Sequence, residues 1–206
     1  MNITRIVVPA MLLALALTAW TVPVGLNFMP TAESLGFLQT RTDAITNSGG
    51  LLYGEHNKLL MGAQTGLILG LEGGVDQITD IGAVYNLKWV YRGEGLIMPA
   101  FAFGVQNLAK GEHSQYYLVA TKSLPTVKVS AGFLRNDGKT ATMVGAGAQL
   151  GLLLVKVDHL QGANLDRNAA SLGIAINRFT VGGAYYAINN GPDEKTITVS
   201  YTDAGY

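Results

Sequence analysis

The chain contains no cysteine. That excludes a disulfide scaffold and any thiolate metal site. Charge is sparse as well. Fourteen basic and fourteen acidic side chains cancel to a formal net charge of zero, and charged residues make up 14% of the 206, against about 25% in an ordinary globular domain. Without a basic excess the chain lacks the electrostatic footprint of a nucleic-acid binder. No internal apolar run approaches the ~20 residues that a membrane-spanning helix needs. Yet mean hydropathy is high, at +0.27. High hydropathy without long runs suits strands in which only alternate residues face lipid. A length of 206 residues suits a single domain.

What is present is alternation. From about Gly66 onward, bulky apolar residues alternate with small or polar ones. Ile81, Ala83, Tyr85, Leu87, Trp89 and Tyr91 share one face, while Gly82, Asn86, Lys88 and Arg92 share the other, with Val84 and Val90 among them. Successive strand side chains point to opposite faces, so each segment has an oily side and a small or polar side. The pattern predicts twelve strands: Ser34–Ala44, Gly50–Asn57, Met61–Glu72, Asp80–Arg92, Leu96–Asn107, Gln115–Leu124, Thr126–Arg135, Thr140–Leu150, Leu152–Leu160, Ala169–Arg178, Phe179–Ile188 and Lys195–Thr202. The breaks carry turn chemistry: Gly73-Gly74, Arg92-Gly93-Glu94-Gly95, Asn136-Asp137-Gly138-Lys139 and Asn189-Asn190-Gly191-Pro192. Short connectors imply sequential antiparallel neighbours, and no loop is long enough for a substantial plug.

The N-terminus reads as an address. Arg5 precedes an apolar run from Ile6 to Trp20, and Ala14 with Ala16, or Leu17-Thr18-Ala19, offers small residues near a cleavage point. This is the layout of a secretory signal peptide, with cleavage placed near Ala19. The expected organisation is a signal over residues 1–19, an irregular lead over 20–33 bracketed by Pro23 and Pro30, and an all-β domain over 34–206. The architecture expected is an antiparallel up-and-down transmembrane β-barrel of about twelve strands in a bacterial outer membrane.

A soluble periplasmic barrel that binds an apolar ligand would show the same alternation with the faces inverted. The polar face favours the membrane reading, because it is dominated by Gly, Ala and Ser and carries few charges. Aromatics also collect near strand ends: Trp89 and Tyr91, Tyr116 and Tyr117, Phe179, Tyr185 and Tyr186, and Tyr201. Interfacial girdles would explain them. Tyr206 supplies the terminal aromatic common in outer-membrane barrels, although the better-patterned phase ends at Tyr201.

Four segments carry a family resemblance: Met29-Pro30-Thr31-Ala32, Asn86-Leu87-Lys88-Trp89, Pro99-Ala100-Phe101-Ala102-Phe103-Gly104-Val105 and Tyr116-Tyr117-Leu118-Val119-Ala120-Thr121-Lys122. In order and spacing the mature chain resembles a poorly characterised bacterial outer-membrane β-barrel family associated with exopolysaccharide gene clusters. The resemblance implies an outer-membrane barrel with lipid around it. It also implies a role in envelope polysaccharide traffic, with the polysaccharide or its export machinery as partner. It brings no catalytic residues.

Nor do the residues themselves assemble a catalyst. Acid–base or nucleophilic catalysis needs groups within hydrogen-bond reach. His56 and His113 fall in expected turns beside Glu55 and Glu112, and His159 ends a strand after Asp158. Ser114 adjoins His113, but strand neighbours point to opposite faces. No two histidines have metal-ligand spacing, so no catalytic, cofactor or metal site is expected. The informative residues are Glu72, Lys88, Arg92, Lys122, Lys128, Lys156, Asp158 and Arg178, all on the expected inner face. Charges in a narrow lumen need partners or water. The favoured reading is a structural ion-pair network that fills the lumen. The functional one is a selectivity lining for a small polar or anionic solute, because Lys and Arg predominate in the group.

Overall fold

Period-2 alternation needs a surface with two different sides, and a closed sheet supplies one. A computed structural model describes residues 30–47, 59–78, 82–108, 114–162, 166–189 and 193–203. These hold twelve strands: β1 (Thr40–Asn47), β2 (Leu59–Gly66), β3 (Leu71–Ile78), β4 (Gly82–Arg92), β5 (Ala100–Gln106), β6 (Gln115–Ser123), β7 (Val127–Asn136), β8 (Lys139–Leu150), β9 (Leu153–Gly162), β10 (Arg167–Ile176), β11 (Phe179–Ile188) and β12 (Glu194–Thr202). Each pairs antiparallel with its sequence neighbours. β1 then pairs with β12, from Arg41 opposite Thr202 to Asn47 opposite Thr196, and closes the barrel. Asp203 locks this seam: its backbone N–H donates to the Thr40 carbonyl at 2.9 Å, and Thr40 N–H donates to its Oδ1 at 3.0 Å. Closure leaves no unpaired sheet edge.

The termini mark one end of the barrel. At this terminus end the connections are 67–70, 93–99, 124–126, 151–152 and 177–178. At the far end the β7–β8 turn is Asp137-Gly138, with φ of 49° and 75°. Positive φ at both positions is what a type I′ hairpin requires, and Asp-Gly meets it at low cost. A ten-residue strand such as β7, rising ~3.3 Å per residue and tilted by ~40°, makes a wall about 25 Å tall.

The outer wall is apolar and bare. Leu87, Trp89, Phe103, Leu118, Phe133, Val144, Val157, Leu172, Ile174, Val181, Ile197 and Val199 all project outward and are exposed. Aromatics gather toward both ends. At the terminus end Trp89 packs edge-on against Phe103 with centroids 5.3 Å apart, Tyr91 lies 6.0 Å from Phe101, and Phe179 lies 5.0 Å from Tyr201. Toward the far end stand Tyr85, Tyr116, Phe133 and Tyr185. Tyr117 and Tyr186, expected with these girdles, turn inward instead and are buried.

The first strands differ from expectation. Ser34–Gln39 is not strand, and β1 begins at Thr40. The strand expected over Gly50–Asn57 lies outside the described residues. Leu67, Leu69 and Leu71 mimic alternation, but the chain reverses there. Leu67 N–H donates to the Leu71 carbonyl at 2.7 Å, and Leu69 has φ 58°. Gly73-Gly74, expected as a connector, lies within β3 opposite Thr65 and Gln64. Asn190-Gly191-Pro192, His56, His113, Tyr206 and the whole expected signal also lie outside the described residues.

Candidate functional site

The lumen wall has two characters. From β5 to β9 the inward residues mix buried apolar side chains (Ala102, Val119, Leu134, Met143 and Leu160) with Thr121, Lys128, Ser130, Lys156 and Asp158. On β12 and β1 through β4 they are polar: Thr196, Ser200, Arg41, Asp43, Gln64, Glu72, Asp76, Asn86 and Lys88. Burying charge in such a space requires pairing. Lys88 and Glu72 are register partners on β4 and β3, with Nζ 3.1 Å from Oε2 and both side chains about 6% exposed. Arg41 reaches Asp43, two residues along the same face, at 2.6 Å. Asn86 Nδ2 donates to Asp76 Oδ2 at 2.5 Å. The hydroxyls of Thr121 (β6) and Ser130 (β7) are linked at 2.9 Å.

Of the eight residues expected in the lumen, five face it: Glu72, Lys88, Lys128, Lys156 and Asp158. Three do not. A bulge between Val90 and Arg92 sets Arg92 opposite outward-facing Phe101, so Arg92 leaves the inner phase and is exposed. Lys122 sits opposite outward-facing Val129, because Tyr117, Val119 and Thr121 hold the inner phase of β6. Its Nζ donates to the Gly95 and Leu96 carbonyls at 2.7 and 3.0 Å and pairs with Glu94 at 3.0 Å, tying the β4–β5 loop to the outer wall. Slight burial pushes the Glu94 carboxyl up. Hydrogen bonds from Lys122 and from the Ser123 hydroxyl and backbone N–H outweigh it and hold the pKa below the ordinary value. Arg178 lies in the β10–β11 turn, exposed, with Nη1 3.4 Å from the Tyr201 hydroxyl.

Sequence reasoning missed Arg41, Asp43, Asp76, Arg167 and Glu194, all inward. Their inclusion changes the electrostatics. Arg41, Lys88, Lys128, Lys156 and Arg167 stand against Asp43, Glu72, Asp76, Asp158 and Glu194. Among the described residues the wall therefore carries five charges of each sign, in place of the expected basic predominance. His159 faces outward, with Nδ1 2.8 Å from Asn168 Oδ1. Among the described residues no cluster of His, Asp and Glu could hold a metal ion.

Residues 30–33, the described part of the expected N-terminal lead, lie in the lumen together with Ser34 and Leu35, so the lumen is occupied from ahead of β1 and not by an inter-strand loop. Pro30, Thr31, Ala32 and Leu35 are buried. The Ala32 backbone N–H donates to Thr121 Oγ1 at 2.8 Å, and Leu35 N–H donates to Glu72 Oε2 at 3.1 Å. Lys88 Nζ donates to the Glu33 carbonyl at 2.5 Å, and Lys128 pairs with the Glu33 carboxylate. From β1 to β6 and β7 is the full width of a twelve-strand ring, so residues 32–39 cross it near the terminus end. The chain turns through Gly36–Gln39 with Leu38 at φ 55°, and Leu38 N–H donates to the Gly66 carbonyl at 2.8 Å. Gly66 must be small: a Cβ there would lie 2.6 Å from the Leu35 carbonyl oxygen.

No family model matches the chain, and no curated protein matches it either. Among solved structures it is similar to the KdgM porin, with a TM-score of 0.55 at 9% identity, covering 79% of this chain and 98% of that one. The KdgM porin in complex with disordered oligogalacturonate gives a TM-score of 0.54 with the same identity and coverage. At that identity the likeness is one of fold.

Proposed function

We propose that the chain is a non-enzymatic outer-membrane channel for a small polar solute. The observation that carries this reading is the sidedness of the closed wall. Ionic pairs line part of the inside, while exposed Leu, Ile, Val, Phe, Trp and Tyr cover the outside. Water is a poor solvent for such an outer wall and lipid a good one. A soluble barrel around an apolar ligand would need the oily face inside, and the alternation is oriented the other way. The barrel shared with the KdgM porin supports a channel role. The oligogalacturonate of the KdgM complex and the family resemblance both favour a saccharide cargo. Envelope or exopolysaccharide traffic, with the polysaccharide or its export machinery as partner, is the role this reading assigns. Residues 1–19 serve as the export signal, removed near Ala19.

Single-channel recording in planar bilayers tests it. The expected result is stepwise conductance. In a KCl gradient the reversal potential should lie near zero, because wall cations and anions balance. A folded, inserted protein that never conducts would overturn the channel reading. A strong anion preference would contradict the balanced lining.

A further inference from the structure

The lumen crossing over residues 30–39 is held differently from the wall. Wall strands share ladders of five to ten register pairs, seven of them at the β1–β12 seam. Among the described residues, the part of the crossing ahead of Gly36 is held by the burial of Ala32 and Leu35 and by four polar contacts to the wall: Ala32 N–H to Thr121, Leu35 N–H to Glu72, the Glu33 carbonyl to Lys88 and the Glu33 carboxylate to Lys128. Three of the four involve a charged wall side chain, and such contacts weaken with salt where water reaches them. The fit is also incomplete. Glu33 Oε2 and Thr31 Oγ1 are buried without a hydrogen-bond partner. A buried orphan carboxylate oxygen is costly, and release into water would satisfy it. At Gly36–Gln39 the segment joins β1 through a turn pinned to Gly66 on β2, so its attachment stays fixed when the rest moves.

We propose that residues 30–35 form a releasable plug, with Glu33 as its latch on Lys128 and the wall beneath as its docking site. Held, the segment covers the Thr121–Ser130 pair. Released, it swings about Gly36–Gln39 and exposes that pair to the lumen. The proposal extends the channel reading but is measured independently of conduction.

The chain has no cysteine, so Ser130→Cys supplies a single thiol beneath the plug. A membrane-impermeant maleimide reads its exposure in the refolded full chain, with Asp137→Cys in the far-end turn giving the rate of an open thiol. With Glu33 intact, Ser130→Cys should react slowly. Adding Glu33→Gln should speed it by about tenfold, the effect of losing one charge-assisted contact. Raising KCl to about 1 M should act in the same direction. Should Glu33→Gln fail to fold, Lys128→Gln cuts the same latch from the wall. Equal rates with and without the latch, in variants whose gel mobility still shifts on boiling, would overturn the plug. So would a Ser130→Cys rate equal to that of Asp137→Cys with the latch intact. A barrel that conducts with unchanged labelling loses the plug alone. A barrel that labels as expected and never conducts loses the channel reading alone.

Discussion

Lys88 is the residue on which the terminus end of the lumen converges. It binds Glu72 across the strand pair and the Glu33 carbonyl of the crossing segment. Truncating one member of a buried pair leaves the other charge without compensation, at about 3–5 kcal/mol. Lys88→Met should therefore destabilise the barrel by about that much in urea unfolding from lipid vesicles. Glu72→Gln added to Lys88→Met should recover about 2 kcal/mol or more, because the stranded carboxylate is gone. Strict additivity of the two changes would show that they are not a pair. At this scale the inner face was legible wherever a strand kept its phase. Lys128, Lys156 and Asp158 face inward as their alternation demands. Arg92 was misread because a bulge flips phase without a signature in the sequence. Lys122 was misread because Tyr116-Tyr117 blurs β6. Arg178 was misread because the strand ends before it. Arg41 and Asp43 become readable only when β1 is known to start at Thr40, which sets both on one face.

At the scale of elements, alternation recovered the strands from β6 onward to within two residues at each end, with the β7–β8 turn read from its Asp-Gly. It failed over Ser34–Gln39 and again from Leu67 to Gly74. Leu67, Leu69 and Leu71 alternate through a turn into the first residue of β3, and the turn folds back onto the outer wall, where Trp89 Nε1 donates to the Leu69 carbonyl at 3.0 Å. Leu69 is 83% exposed there. An apolar turn beside lipid is locally indistinguishable from a strand, because lipid rewards apolar exposure that water would penalise. Ser34–Gln39 was misread because a lumen-crossing segment faces wall on several sides and carries no period of its own. The outer face of β10 gives the element-scale prediction. Leu172 is 58% exposed and flanked by Val155 and Gly183 on the neighbouring strands. Leu172→Arg should cost about 2–4 kcal/mol in vesicles if the site lies near the bilayer midplane. A cost within about 0.5 kcal/mol, the ordinary range for a water-exposed position, would mean that β10 does not face lipid.

For the whole molecule, closure is the decisive property. Local patterning specifies which residues face out, but not that β1 meets β12. That pairing joins segments at opposite ends of the sequence, and the Asp203 contacts that lock it are invisible to local reading. The lumen's charge balance is likewise a property of the closed ring, since four of its ten described members lie on β1 and β3, whose boundaries the sequence blurs. The central claim is that this closed wall stands in an outer membrane with its oily face to lipid. The most direct measurement is fractionation of expressing cells, followed by a detergent gel of each fraction with and without boiling. The expected result is a protein in the outer-membrane fraction whose mobility changes on boiling, since a closed ladder resists detergent until heated. A protein in the soluble periplasmic fraction would contradict the claim.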